Sequence, residues 1–261
     1  MLSYRSGPLS PETEQWLSDR QARVNAEPDH ATRHQIARRL FASKRGAAFD
    51  EIRARLAAIS PPGSACFYCE RDRYRDIDHI RPIRHFPESC FDWQNHVYAC
   101  SICNQDAKRD RYAIIDTSGE LIAFDRFTSP DSSPAGVHAL IDIRQEDPLD
   151  FLGLDLETGL FVALGPDDTV RKRGRYTCDL FNLDGDVLSR DRRHARRHFI
   201  DYLTRHASAR QNGDAAAAER ALNEIRELPH PTVLAEIRRQ APRDPRLAVL
   251  LEGLPAWPGP L

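Results

Sequence analysis

Two Cys-x-x-Cys pairs, Cys66/Cys69 in CFYC and Cys100/Cys103 in CSIC, stand with thirty residues between them. Tetrahedral Zn²⁺ takes four thiolates at about 2.3 Å, and two such turns supply them from segments distant in sequence. Four thiolates leave no coordination position for water, so this ion would staple the fold and would not activate a nucleophile. Free or core cysteines are the alternative. Asp78-His79 follows Cys69 by nine residues, and Asn104 comes directly after Cys103. Closing the metal site would bring a carboxylate, an imidazole and an amide toward one another, the groups a small metallonuclease needs. Cys90 and Cys178 have no close partner and read as buried small hydrophobes.

The elements that must position these groups are readable around them. SPETEQWLSDRQARV, from Ser10, opens with a capping Ser, a Pro and two acidic residues, which predicts a helix. Residues 31–60 repeat apolar side chains at helical spacing, and the Pro-Pro-Gly at 61–63 is a boundary. Beyond the cysteine region, YAIIDTSGELIAFDRF predicts two short strands around a Ser-Gly turn, and SPDSSPAG a loop. Residues 147–170 predict a second strand pair around ETG, and residues 184–211 a long basic helix. DAAAAERALNEIREL, PTVLAEIRRQA and RLAVLLEGL are further helix candidates, and the tail PAWPGPL is expected to be irregular. The expected fold class is α+β. It divides into a helical arm over 1–60, a small zinc-stapled core over 61–112, a strand-rich extension over 113–185, and a basic helical region over 186–261.

Composition narrows the functions. The chain of 261 residues carries 37 Lys and Arg against 39 Asp and Glu, a formal net charge of -2. Such a chain is no general polyanion binder, so any nucleic-acid surface must be local. RKRGR at 171–175 and SRDRRHARRH at 189–198 are the most basic stretches. Arg190, Arg193 and Arg197 share one helical face, and Arg192 and Arg196 another. Contact with a DNA backbone, docking to an acidic protein and an ordinary solvated face all fit this pattern. No apolar run is long enough for a membrane span and the first residues lack a signal-peptide core, so a cytoplasmic location is expected, consistent with paired thiols in a reducing compartment.

Taken together, CFYC, DIDHIRPI and NHVYACSICNQDAKRD resemble the HNH endonuclease family, a ββα-metal fold in its version stapled by a four-cysteine zinc. The likeness covers roughly residues 66–111. It implies that His79 is the general base, that Asp78 and Asn104 hold a catalytic Mg²⁺ or Mn²⁺, and that Asn95 braces the loop and the base. Two departures stand out. His96 follows Asn95 where an aliphatic residue is usual, which leaves it a core residue, a metal ligand or a stand-in for part of the site. Lys108 sits one place later than in some members. More loosely, EDPLDFLG and LFNLDGDVLSRDRR resemble segments of the HNH nucleases of bacterial antiphage systems such as Septu or retron-associated ones. That likeness implies a regulatory ATPase partner.

The implied chemistry is coherent. Phosphodiester hydrolysis needs a deprotonated water and a cation that neutralises phosphoryl charge. A neutral imidazole, with an ordinary pKa of about 6.5, can take the proton. Asp and Asn are hard oxygen ligands suited to Mg²⁺, and one carboxylate leaves that ion dependent on the substrate phosphate for firm binding. Adjacent residues of a regular strand face opposite sides, so Asp78 and His79 need a strand end to cooperate, and Pro82 is consistent with one. Arg81, Arg84, Lys108 and Arg109 are candidate phosphate contacts or solvated side chains. The leading expectation is a DNA endonuclease. A non-catalytic zinc module that binds nucleic acid or protein, and an RNA-directed nuclease, are the alternatives.

Overall fold

The computed structural model describes residues 1–43, 45–74, 76–128 and 131–254, so the PAWPGPL tail lies outside the described residues. The chain opens with three helices, α1 (Pro11–Asn25), α2 (His30–Ala42) and α3 (Ala47–Ala58). Ser10 caps α1 by accepting from the Thr13 N–H, and Asp29 does the same for α2 at Thr32. The run expected as one helical stretch from residue 31 to 60 is two helices. Gly46, with φ of 99°, turns the chain between them through a conformation that other residues resist. Glu51 of α3 ties α1 to α3. It accepts from the Ser10 hydroxyl at 2.5 Å, the Thr13 hydroxyl at 2.6 Å and the Ser10 N–H at 2.8 Å. These bonds hold its carboxyl down to about 2.

Two four-residue strands follow, β1 (Asp76–His79) and β2 (His96–Ala99), paired antiparallel with Asp78 opposite Val97 and His79 opposite His96. The loop between them is held by Asn95, whose carbonyl accepts from the Ile80 N–H at 2.9 Å. A short helix, Ile102–Lys108, comes next and has a wide π-type turn, in which the Arg109 N–H reaches the Asn104 carbonyl at 2.7 Å. Arg109 ends it in a positive-φ conformation.

The expected strand pair around Ser-Gly is β3 (Tyr112–Ile115) and β4 (Leu121–Phe124). A two-residue strand, β5 (Val137–His138), completes a sheet of order β4-β3-β5. The pair around ETG is β6 (Leu152–Leu154) and β7 (Phe161–Ala163). Helices complete the chain: α4 (Asp168–Phe181), α5 (Asp186–Gln211), α6 (Ala215–Glu227), α7 (Pro231–Gln240) and α8 (Pro245–Leu251). The architecture is α+β, small antiparallel sheets set among longer helices.

Helix α4 was not expected, because its RKRGR run reads only as a basic stretch. Its glycine is there for packing: a Cβ on Gly174 would come within 2.7 Å of the Phe151 carbonyl. One hydrophobic cluster runs from Met1 to Ile237 and takes in Phe41, Phe49, Phe67, Ile77, Val97 and Leu203. Among the described residues, no helix is long and apolar enough to cross a membrane.

The N-terminal helices reach the two-stranded sheet through Phe41 of α2, whose ring lies edge-on to His79 at 4.3 Å and tilted against His96 at 5.7 Å. Phe41→Ala should therefore destabilise the zinc-loaded protein by about 3–5 kcal/mol, read as a lower urea midpoint. A shift below about 1 kcal/mol would mean that α2 does not support the sheet.

Candidate functional site

The four cysteines come together. The sulfurs of Cys66, Cys69, Cys100 and Cys103 all lie within 4.8 Å of one another, and all four residues are buried. A tetrahedral site with Zn–S bonds of about 2.3 Å needs sulfurs about 3.8 Å apart, and Cys69 and Cys100 stand at 3.9 Å. Backbone N–H groups support the sulfurs, from Tyr68 to Cys66 and from Cys103 to Cys100, each at 3.4 Å. None of the six cysteines is in a disulfide. The donor set and spacing fit a structural Zn²⁺ ion. Among the described residues this is the one place where three or more His, Cys, Asp or Glu side chains gather closely enough to hold a metal. Cys90 and Cys178 are buried apart from it, and burial pushes the Cys178 thiol up to about 12 and the Cys90 thiol upward as well. Neither is poised as a nucleophile.

Asp78, His79 and Asn104 line one cleft of about 520 Å³. Asp78 sits on β1 with its carboxylate held by two donors. The Tyr68 hydroxyl, between two of the cysteines, donates to it at 2.8 Å, and the Lys108 ammonium reaches it at 3.1 Å. Burial and the Asp78 charge raise the Tyr68 pKa well above its ordinary value, so this hydroxyl stays a neutral donor. His79, the last residue of β1, points Nε2 at the Cys90 carbonyl at 3.0 Å. A carbonyl only accepts, so Nε2 carries the proton and Nδ1 is the basic nitrogen. Asn104 stands half-buried in the first turn of Ile102–Lys108.

Asn95 is fully enclosed outside the cleft. Its amide donates to the Ser89 carbonyl at 2.9 Å and the Arg81 carbonyl at 3.1 Å, and accepts from the Arg81 N–H at 2.7 Å. It ties the two ends of the β1–β2 loop together. His96 is 0 % exposed and donates Nε2–H to the same Cys90 carbonyl at 2.9 Å. It is a core residue beside His79, with ring centres 4.9 Å apart.

The candidate phosphate contacts divide. Lys108 is 0 % exposed and donates to the His79 carbonyl at 2.6 Å as well as to Asp78, so it cannot reach a phosphate at the surface. Arg81 turns away from the cleft toward Asp142, at 3.6 Å. Arg84 and Arg109 do line the cleft. The basic stretches elsewhere are largely structural. Arg192 is buried and donates to the Gly159 and Leu183 carbonyls, Arg196 pairs with Glu157, and Arg173 pairs with Glu146 at 2.6 Å. Arg190, Arg193 and Arg197 are exposed on α5, as are Arg205 and Arg210 further along the same helix.

The cleft also gathers residues that sequence reading passed over: His34 and Arg38 from α2, Asp110, and Arg126 after β4. His34 and Arg38 are one helical turn apart, and that spacing was their only signal. Burial, then the charges of Arg38 and Arg84, lower the His34 pKa, so this ring is neutral at pH 7. Four arginines from four segments thus give a chain of slightly negative net charge a locally positive cleft. No family model matches the chain, and no curated protein and no solved structure is similar to it.

Two measurements follow from this geometry. The purified protein should carry one zinc per chain by elemental analysis, and Cys100→Ala should lose both the metal and cooperative unfolding. Lys108→Met should destabilise the protein by about 3–5 kcal/mol by leaving the buried Asp78 without its counter-charge, and adding Asp78→Asn should recover part of that loss. An undiminished urea midpoint in the single variant would contradict the pairing.

Proposed function

We propose that the protein is a metal-dependent endonuclease of the HNH type that hydrolyses DNA phosphodiester bonds. The observation that carries this reading is the convergence of Asp78, His79 and Asn104 on a cleft walled by Arg38, Arg84, Arg109 and Arg126. The order of elements is compatible with it: two short antiparallel strands are followed by a short helix, and four cysteines cluster beside them.

In this reading the arginines bind the phosphates on either side of the scissile bond. His79 takes a proton from the attacking water at Nδ1, while its Nε2–H stays anchored on the Cys90 carbonyl and keeps the ring aimed. Asp78 and Asn104 are the oxygen ligands for Mg²⁺ or Mn²⁺, with Asp110 a further carboxylate in the same wall. When bound, that ion neutralises charge developing on the phosphoryl and leaving oxygens. A carboxylate has about four lone-pair sites, and the bonds from Tyr68 and Lys108 leave Asp78 room for one further ligand. The neighbouring ammonium opposes a second cation, so the ion should bind firmly only together with the substrate phosphate.

A regulatory ATPase partner, an antiphage role and a cytoplasmic site of action belong to the same proposal. They rest on the looser sequence resemblance and on the paired thiols. The non-catalytic zinc module remains the second reading, favoured by the hold of Lys108 on Asp78. RNA is the other substrate that the same chemistry would cut.

Supercoiled plasmid incubated with the zinc-loaded protein and Mn²⁺ or Mg²⁺ should be nicked or linearised, and EDTA should stop the reaction. His79→Ala, with its zinc retained, should cut at least about 100-fold more slowly. Absence of cleavage of DNA and RNA, with and without the ATPase and nucleotide, would reject catalysis in favour of the binding module.

A further inference from the structure

We propose that Phe127, beside the cleft residue Arg126, is a stacking platform for an unpaired nucleobase of the substrate strand, an inference that rests on the nuclease reading. Phe127 is 75 % exposed, the most exposed large hydrophobic side chain among the described residues. It follows Arg126, which lines the cleft, and the Arg126 guanidinium lies over its ring at 4.6 Å. An aromatic ring left in water beside a basic cleft is the pairing that single-strand binding surfaces use: cations track the backbone and rings stack on bases.

The turn that carries the ring is held. Asp125 accepts from the Phe127 N–H at 2.8 Å and the Thr128 N–H at 3.0 Å, closing a tight turn just after β4. Those backbone bonds keep the Asp125 carboxyl below its ordinary value, so the turn stays closed at neutral pH. The Thr128 carbonyl accepts from Arg84 Nε at 2.8 Å, and Arg84 is itself part of the cleft wall. One arginine thus joins the aromatic turn to the residues that face the phosphates. The turn that presents the ring is linked to two arginines of the cleft wall, and in this proposal a strand whose phosphates lie along Arg84 and Arg126 carries a base over the open side of Phe127.

Stacking reads the base and ignores the backbone, and this separates it from the arginine contacts. Duplex bases are already stacked on one another, so the platform would favour single-stranded or locally opened DNA. The test is binding by the zinc-loaded protein with no Mg²⁺ or Mn²⁺ added, so that cleavage does not interfere, read by fluorescence anisotropy of labelled oligonucleotides. The probes are a single-stranded oligothymidine and an abasic strand of equal length. Wild-type protein should prefer the thymidine strand. Phe127→Ala should bind that strand about tenfold more weakly while its affinity for the abasic strand is unchanged. Phe127→Trp should bind as well as wild type or better. Both variants should keep zinc and the wild-type melting temperature, since the side chain is solvent-exposed.

Equal affinity of the wild type for the two strands, binding to neither, or equal losses on both in Phe127→Ala would overturn the platform. The nuclease reading fails separately, if a wild-type protein that does bind the strands leaves DNA and RNA uncut with metal and the ATPase present.

Discussion

Closure of the four-cysteine cluster is the constraint on which the site depends. It joins two chain segments with thirty residues between them, and the groups in the cleft are attached to its ligands. Tyr68, between Cys66 and Cys69, holds the Asp78 carboxylate. Asn104 directly follows Cys103, and Lys108 lies one turn further along the same helix. If the two Cys-x-x-Cys turns separated, the donors to Asp78 would leave from opposite sides, one with each turn. The sheet cannot supply this alone, because two four-residue strands are below what is independently stable in water.

Charge compensation is the second layer. Lys108 and Asp78 are both removed from water, and an ammonium buried without a partner would be costly. The pair is supported by the His79 carbonyl and the Tyr68 hydroxyl, so each charged group has more than one partner. The same ammonium therefore binds the backbone of His79 and the side chain of Asp78, coupling the positions of two neighbouring residues that a strand would otherwise face in opposite directions. The wide turn of Ile102–Lys108 accommodates this arrangement, with the Arg109 N–H reaching back five residues to Asn104.

What could be read in the sequence follows from how local each signal is. The cysteine spacing, the Ser10 cap and the Ser-Gly and ETG turns are short-range patterns, and the corresponding elements are present. The adjacency of Asp78 and His79 was equally plain, as was the need for a strand end beside them. Helix α4 was missed because residues 171–175 stand out for their charge alone, and the close approach of Gly174 to the Phe151 backbone is a contact set by tertiary packing. Lys108 was misjudged for a related reason: exposed and buried lysines look alike in sequence until the opposing carboxylate is located. Arg38, Arg84, Arg109 and Arg126 come from segments whose meeting no periodicity encodes. The face shared by Arg192 and Arg196 went the other way, since helical spacing alone could not show that Arg192 points into the core.

The orientation of His79 depends on a backbone atom. The Cys90 carbonyl accepts from Nε2 of both His79 and His96, at 3.0 and 2.9 Å, using its two lone pairs. Both rings also touch Phe41 of α2. His96, where an aliphatic side chain would be usual for this resemblance, therefore fills the core and shares the acceptor that sets the tautomer of its neighbour. A neutral carbonyl orients the ring without adding a charge, which leaves Asp78 as the negative group beside it in the cleft wall. The loop that carries Cys90 is in turn closed by Asn95 through the Ser89 and Arg81 carbonyls. Asn95 thus closes, from outside the cleft, the loop that presents the Cys90 carbonyl to His79.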